Sequence, residues 1–233
     1  MFSVAQPQIW TPARLPTYQD YVASKLPGVY WRMNEASGNF IDRSGNGRHG
    51  VITGTPTYAQ PNIFRATADG SIALSGVAYG LGPHPQYDGN PYFNGGHTMV
   101  WRGKVLSLAA DCLLFGYSGL NIFVSTTGRL KANYASPNYG GTSGVVDGSP
   151  DGTIVVGESL TIAWSFAGGG YNYGELFKNG VVKGNLSGIN HLNATNQLWV
   201  GSGSTGSQVC EGFEYYPALR ISEMAAQWAI ISA

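Results

Sequence analysis

The sequence predicts an all-β fold: a single antiparallel β-sandwich with an N-terminal extended arm and a short C-terminal helix. Three observations predict it. The 233 residues include 34 glycines and only 11% charged residues, short apolar runs alternate with polar residues, and turn signals separate these runs. Hydrophobic residues make up 43% of the chain, enough for a sizeable core. We expect one sandwich domain over residues 17–233, because sandwiches of this length commonly form one unit, and an arm over residues 1–16.

The arm is predicted from its composition. Residues 1–16 contain three prolines, few charges and the apolar neighbours Ile9 and Trp10, a combination typical of an extended segment. We expect the arm to dock on a partner through Ile9 and Trp10. The alternative is that it folds back over its own sandwich. After the arm, apolar residues at helical spacing over residues 18–26 predict a helix of one or two turns.

Alternation of apolar and polar residues predicts individual strands. Over residues 160–166 the alternation places Trp164 in the core, and residues 129–134 show the same pattern with one solvated face. Asn179 and Gly180 stand between apolar residues and predict a type I′ hairpin turn, in which both central residues have positive φ.

Two glycine-rich segments, residues 135–152 and 168–174, are predicted to be irregular loops. Beyond the last strand, which we expect to end near Ile221, Ser222 is predicted to cap the short C-terminal helix.

The segment over residues 29–51 begins as a strand and then becomes polar and rich in glycine. Its first five residues, Val29 to Met33, are mostly β-branched or aromatic. Asp42 and Asn46 lie beside serines and glycines and can bind their own backbone, so we expect an ordered loop. The same two side chains are the best candidates for a calcium site, although turn formation is the commoner role of such residues. The sequence predicts no catalytic or cofactor-binding residue.

This segment reads YW-x-x-x-E-x-S-G and then D-x-S-G-N-G-x-x-G, and it resembles the start of laminin-G-like, concanavalin-A-like jelly-roll domains. Later stretches resemble the same family in its order: GSIALSG at 70–76, HTMVW at 97–101, LFKNGV at 176–181, LWVG at 198–201 and YYPALRISEM at 215–224. The resemblance implies a jelly-roll β-sandwich. Domains of this fold carry sugar, protein and calcium binding as well as glycoside hydrolysis, so the fold alone does not select among them.

The sequence argues against an enzyme. Glycoside hydrolysis needs two carboxylates that face one sugar, and the nearest pair, Glu211 and Glu214, has an odd spacing that places the two side chains on opposite faces of a strand. The four histidines show no zinc-like spacing, no G-x-S-x-G elbow occurs in a strand-turn-helix setting, and histidines in loops are expected to be solvated. Cys112 and Cys210 lie in apolar strand-like segments, where a buried free thiol is the usual state; a disulfide is the alternative.

Thirteen basic and thirteen acidic residues give a formal net charge of zero, which disfavours nucleic acid and anionic membranes as partners. No apolar run approaches the length that spans a bilayer, and the first residues lack the pattern of a secretory signal, so we expect synthesis in a host cytoplasm. Exposed loop aromatics can stack on sugars. Tyr139, Tyr171 and Tyr173 are the candidate glycan contacts; the alternative is that such aromatics cover the ends of the sandwich or are buried in a subunit contact.

Residues 18–27, YQDYVASKLP, followed by Tyr30-Trp31-Arg32 resemble modules of bacteriophage structural proteins. With the arm and the missing catalytic pairs, this resemblance implies a non-catalytic virion protein: a capsid-decorating, fibre or tail-associated subunit docked through its arm. Its expected partners are other virion proteins and further copies of itself. The alternative is a lectin-like module that binds cell-surface glycans. Glycan binding by a folded monomer favours the lectin, whereas assembly onto capsids or tails favours the virion subunit.

Overall fold

The computed structural model describes residues 18–64, 70–75, 78–85, 96–117, 119–134, 144–147, 153–167, 173–187, 197–202 and 208–217. These residues form one short helix and fifteen strands, and every strand pairing is antiparallel, which confirms the all-β prediction. The elements are α1 Tyr18–Ser24, β1 Val29–Trp31, β2 Val51–Thr53, β3 Thr57–Gln60, β4 Ser71–Leu74, β5 Tyr79–Pro83, β6 His97–Val105, β7 Cys112–Tyr117, β8 Leu120–Val124, β9 Leu130–Tyr134, β10 Gly144–Asp147, β11 Leu160–Ala167, β12 Tyr173–Lys178, β13 Val181–Ser187, β14 Gln197–Ser202 and β15 Gln208–Pro217.

The strands form two sheets. The eight-stranded sheet has the order β13-β12-β11-β6-β15-β4-β3, with β1 also pairing β15, and the seven-stranded sheet has the order β10-β9-β8-β7-β14-β5-β2. Between them lies the main core, which includes Trp31, Trp101, Trp164, Phe115 and Phe213, all fully buried. The predicted core position of Trp164 is therefore confirmed.

The two outer faces differ. On the eight-stranded sheet, α1 packs through Tyr18 and Tyr21 on a second, smaller cluster that contains Val100, Phe177 and Tyr216. On the seven-stranded sheet, β8 and β9 alternate between buried and partly exposed residues, the pattern of a sheet with one solvated face. The α1 helix is too short and too polar to cross a membrane, and the rest of the described chain adds no other helix.

Local predictions are confirmed in part. Asn179 and Gly180 have φ of 49° and 79°, as the predicted type I′ turn requires. The first strand, predicted to reach Met33, ends at Trp31, because Met33 adopts a φ of 56° that leaves the extended region.

Both predicted loops prove shorter than expected. Residues 144–147 of the segment 135–152 form β10 and pair with β9, and Tyr173 of the segment 168–174 is the first residue of β12. The valines at 145 and 146 favour extended backbone, which the abundant neighbouring glycines concealed. The arm over residues 1–16 and the predicted helix at Ser222 lie outside the described residues.

Candidate functional site

A row of residues crosses the outer face of the seven-stranded sheet, one from each of six neighbouring strands. The antiparallel register aligns them from β2 to β9 as Val51, Leu81, Trp199, Gly116, Asn121 and Asn133. We call this set the tryptophan row. None of its residues belongs to either hydrophobic cluster of the described part of the chain.

Strand periodicity places the row on the outside. Leu198 and Val200, on either side of Trp199, are fully buried in the core, so Trp199 faces away from it and is half-buried. The same alternation leaves Asn121 half-buried and Asn133 exposed, and Val51 is 56% exposed. The row thus has an apolar half, from Val51 to Trp199, and an amide half.

Trp199 is held by a close approach to the backbone of β7. A Cβ atom at Gly116 would overlap the carbonyl oxygen of Leu120 and would lie 2.9 Å from Nε1 of Trp199. Only glycine therefore fits under this edge of the indole ring. Nε1 has no hydrogen-bond acceptor among the described residues, although buried indole N–H groups usually have one. The Nε1 edge of the ring packs on β7 at Gly116, and Asn121 occupies the next position of the row, on β8.

A surface cavity of about 360 Å³ lies at the apolar end of the row. Its size falls at the lower end of the range of small-ligand sites, roughly 300 to 1,000 Å³. It is lined by His49, Val51, Leu81, Gly82, Pro83 and Gln197. The backbone N–H of Asp42 donates to Nδ1 of His49 at 3.1 Å. The lining includes an imidazole and an amide, and it includes no carboxylate, lysine or arginine side chain.

The segment between β1 and β2 builds this end of the sheet. A Cβ atom at Gly82 would overlap the ring of Trp31, and one at Gly80 would overlap the ring of Phe40. The two aromatic rings pack directly on β5 because its inward positions are glycines. This packing fixes β5, and with it Leu81 on the outer face.

Asp42 organises the same segment. Its Oδ1 accepts the backbone N–H groups of Tyr30 at 3.0 Å and Ser44 at 2.9 Å, and its Oδ2 accepts the Ser44 hydroxyl and the Arg48 N–H, both at 2.8 Å. Burial alone would raise the pKa of Asp42, but these hydrogen bonds outweigh it and lower the pKa below its usual value. The expected ordered loop is confirmed.

Asn46 contributes its amide nitrogen to this loop. Nδ2 donates to the carbonyl oxygens of Pro27 at 3.1 Å and Gly28 at 3.2 Å. Asp42 and Asn46 are therefore near one another but use their polar atoms on the protein itself. No group of three or more metal-ligating side chains occurs in the described part of the chain, and calcium binding at these two residues stays a prediction.

The other predicted contacts are not in the row. Tyr173 is half-buried in the eight-stranded sheet, and its hydroxyl donates to Oε1 of Glu175 at 3.1 Å. Tyr139 and Tyr171, and the docking residues Ile9 and Trp10, lie outside the described residues.

The expectation that histidines in loops are solvated is wrong for His84, which is almost completely buried. His97, the first residue of β6, is also buried; its ring stacks on Tyr215 with centroids 5.5 Å apart, and its Nε2 lies 3.1 Å from the Tyr117 hydroxyl. Burial, with a contribution from Arg48, lowers the pKa of His84 to about 4. These rings fill one end of the core.

Cys112 is a buried free thiol, as expected, and burial raises its pKa to about 12. A thiol with so high a pKa is protonated and unreactive at neutral pH. The Cys210 side chain lies outside the described atoms.

Sequence reasoning missed the tryptophan row. In the sequence, Trp199 stands out only within the LWVG stretch of the family resemblance, and the alternation in residues 129–134 predicts a solvated Asn133 without giving it a partner. The amides at 121 and 133 on wet positions of neighbouring strands were the available signal. Their alignment with Trp199 depends on pairing between strands that are about 70 to 80 residues apart in sequence, which alternation alone cannot supply.

Comparison with known proteins shows the fold. The sequence matches no protein-family model and no curated protein. Among solved structures, the binding domain of Paraclostridial Mosquitocidal Protein 1 is similar with a TM-score of 0.67 at 15% identity, over 88% of this chain and 52% of that one. At such identity the likeness shows a shared all-β fold and no more.

Two further neighbours are botulinum neurotoxin proteins. The serotype D ligand-binding domain in complex with N-acetylneuraminic acid has a TM-score of 0.66 at 11% identity, over 89% of this chain and 51% of that one. Type C, whose passage into cells is dependent upon interaction with two ganglioside molecules, has a TM-score of 0.65 at 9% identity, over 92% and 53%. The present chain thus spans about half the length of each neighbour.

Proposed function

We propose that this chain is a non-catalytic carbohydrate-binding domain that holds its ligand on the tryptophan row. The observation that carries the proposal is the fixed, half-exposed indole of Trp199 between an apolar strip and two amides. The C–H face of a pyranose ring stacks on an indole ring, while the sugar hydroxyls need groups that both donate and accept. Asn side chains provide both. The chemistry of the row matches a sugar better than a peptide or a nucleic acid.

Two further points support the proposal. The structural neighbours include proteins that bind N-acetylneuraminic acid and gangliosides, although the matched half of each need not be the half that binds them. The tryptophan row contains no carboxylate, whereas hydrolysis of a bound glycan requires a pair. Binding without cleavage is therefore the expected activity.

The laminin-G-like and concanavalin-A-like assignment belongs to this proposal. Two packed antiparallel sheets of seven and eight strands, and the segment between β1 and β2 with its SGNG turn, support it. The virion location and the docking through Ile9 and Trp10 stay predictions from the sequence. They are compatible with glycan binding, because a virion-borne domain can also recognise a cell-surface glycan.

A glycan array probed with the purified domain, followed by calorimetry on the best ligand, tests the proposal. Trp199→Ala should weaken binding about 30-fold or more, because a central aromatic contact typically contributes about 2 kcal/mol or more. The midpoint of thermal unfolding should stay within about 3 °C. Tyr173→Ala is the matched aromatic control, in the other sheet, and should bind like the unmodified protein.

Two results would contradict the proposal. If Tyr173→Ala abolishes binding and Trp199→Ala does not, the glycan site lies elsewhere, in the region that the sequence had indicated. If no glycan on the array binds, the carbohydrate function itself is wrong, and binding to purified capsids and tails becomes the next measurement.

A further inference from the structure

We infer that the ligand of the tryptophan row is an internal stretch of a neutral, linear glycan that lies across the strands; this inference rests on the proposed function. The row is open at its amide end, where Asn133 is exposed, and continues into the cavity at its apolar end. A site for a terminal sugar is instead a closed pocket around one ring. The geometry therefore favours an extended ligand.

The length of the row sets the length of the ligand. Neighbouring strands lie about 4.8 Å apart, so the five spacings from Val51 to Asn133 span about 24 Å. A pyranose unit extends a glycan chain by about one strand spacing. A chain of four to five sugars is therefore expected to fill the row, on the order of one sugar per strand.

The two halves of the row contact ligands of different length. Asn133 lies three strand spacings, about 14 Å, from Trp199. A disaccharide stacked on the indole ring does not reach that amide, whereas a tetrasaccharide does. Contacts at the amide half are thus available only to longer ligands.

The charge on this face argues for a neutral glycan. None of the six row residues carries a charge, and the cavity adds the imidazole of His49 and the amide of Gln197. The nearest cation, Lys131, lies two residues from Asn133 on the same face of β9, and both Lys131 and Arg129 are engaged within the protein. A carboxylated sugar in the row would lose water and meet only cations that already interact with the protein itself.

Calorimetry with graded oligosaccharides tests the inference. The probes are cello-, chito-, malto- and laminari-oligosaccharides from disaccharide to hexasaccharide, together with oligogalacturonate and its methyl ester as a pair that differs in charge. We expect affinity for at least one neutral series to rise about tenfold or more from disaccharide to tetrasaccharide and then to level off. The methyl ester should bind at least as well as the acid.

Asn133→Ala provides the sharpest readout. It should lower the affinity for the hexasaccharide several-fold and leave that for the disaccharide unchanged, since only the longer ligand reaches this position. Trp199→Ala should weaken both. Asn185→Ala, on a partly exposed strand of the other sheet, is the matched amide control and should change neither.

The outcomes separate the inference from the function beneath it. Three results overturn the inference: an affinity that does not depend on ligand length, a requirement for a carboxylate, or array binding confined to terminal or branched sugars with no response to any of the four series. In each of these cases, loss of glycan binding in Trp199→Ala keeps the proposed function. Absence of binding to every glycan overturns both.

Discussion

The outer faces of the two sheets differ in burial: one is covered by other parts of the chain, and the other is partly exposed to solvent. In the eight-stranded sheet, β6 and β11 are buried along almost their whole length on both faces, because α1 and its neighbours cover the outer one. In the seven-stranded sheet, β8 and β9 are buried at every second residue only. One outer face is part of the structure, and the other is available for a ligand.

Polar residues on the covered face are engaged within the protein. The hydroxyl of Thr98 donates to Oγ of Ser165 at 3.1 Å, and the hydroxyl of Tyr18 in α1 donates to Oε1 of Glu214 at 2.7 Å. The guanidinium of Arg102 lies 3.9 Å from the centre of the Tyr18 ring. These contacts fasten α1 to the sheet. Asn121 and Asn133 on the opposite side of the sandwich remain at least partly exposed to solvent.

The largest expected difference between buried and surface positions concerns two tryptophans. Trp164→Ala should lower the free energy of unfolding by roughly 3 to 5 kcal/mol, because it leaves a large cavity in the core. Trp199→Ala should lower it by about 1 kcal/mol or less, because the outer ring is only half-buried. Urea denaturation followed by far-UV circular dichroism measures both. Equal losses would show that the outer tryptophan is structural.

The second difference is in pH dependence. Burial raises the pKa of Glu214 to about 7, while the Tyr18 hydroxyl and Arg102 act in the lowering direction. Between pH 4.5, its ordinary value, and pH 7 the unfolded chain loses this proton and the folded chain retains it. The contribution of Glu214 to stability is therefore greatest below pH 4.5 and is lost towards pH 7, by about 3 kcal/mol at about 1.4 kcal/mol per pH unit.

Glu214→Gln isolates this contribution. The difference in unfolding free energy between the two proteins should change across pH 4.5 to 7 and become constant outside this window. Tyr18, Tyr21 and Tyr216 also face the carboxyl group, but burial raises the pKa of each hydroxyl above its ordinary value of 10.0, outside this window. Tyr18→Phe removes a hydrogen bond that lowers the pKa and should extend the decline to higher pH. Parallel pH profiles for wild type and Glu214→Gln would contradict the burial of this group.

Much of the fold, and little of the site, was predictable from the sequence. The core position of Trp164 and the turn at Asn179 follow from alternation over a few residues and from the need for positive φ, which are local properties. Asn121, Asn133 and Trp199 become a site only through pairing between distant strands. Strand pairing can bring an amide and an indole onto one face of a sheet although neither local sequence contains a pattern that predicts it.

The burial of Glu214 escaped prediction for a related reason. The outer face of its strand is covered by α1, where Tyr18 bonds to Glu214 from 196 residues away in the sequence. A charged residue at a strand's outer position is normally solvated. Packing of α1 on the sheet overrides this tendency and buries Glu214.

The smallest expected effect on stability is that of removing the arm. Deletion of residues 1–16 leaves Tyr18 in place, with its hydrogen bond to Glu214 and its contact with Arg102, so the cover of the eight-stranded sheet keeps its described contacts. The midpoint of thermal unfolding should change by about 2 °C or less. Glycan binding should be unchanged, because no residue of the tryptophan row belongs to the arm and the row lies on the sheet opposite α1. Self-association, measured by analytical ultracentrifugation, and binding to capsids or tails should weaken, since the three prolines reduce the entropy lost on docking and Trp10 supplies an aromatic anchor.

Trp10→Ala in the full chain is the matched variant and should reproduce most of that loss of association and binding. A truncated chain that unfolds would show the arm to be a strap on its own sandwich, and one that associates as strongly as the full chain would remove the docking role.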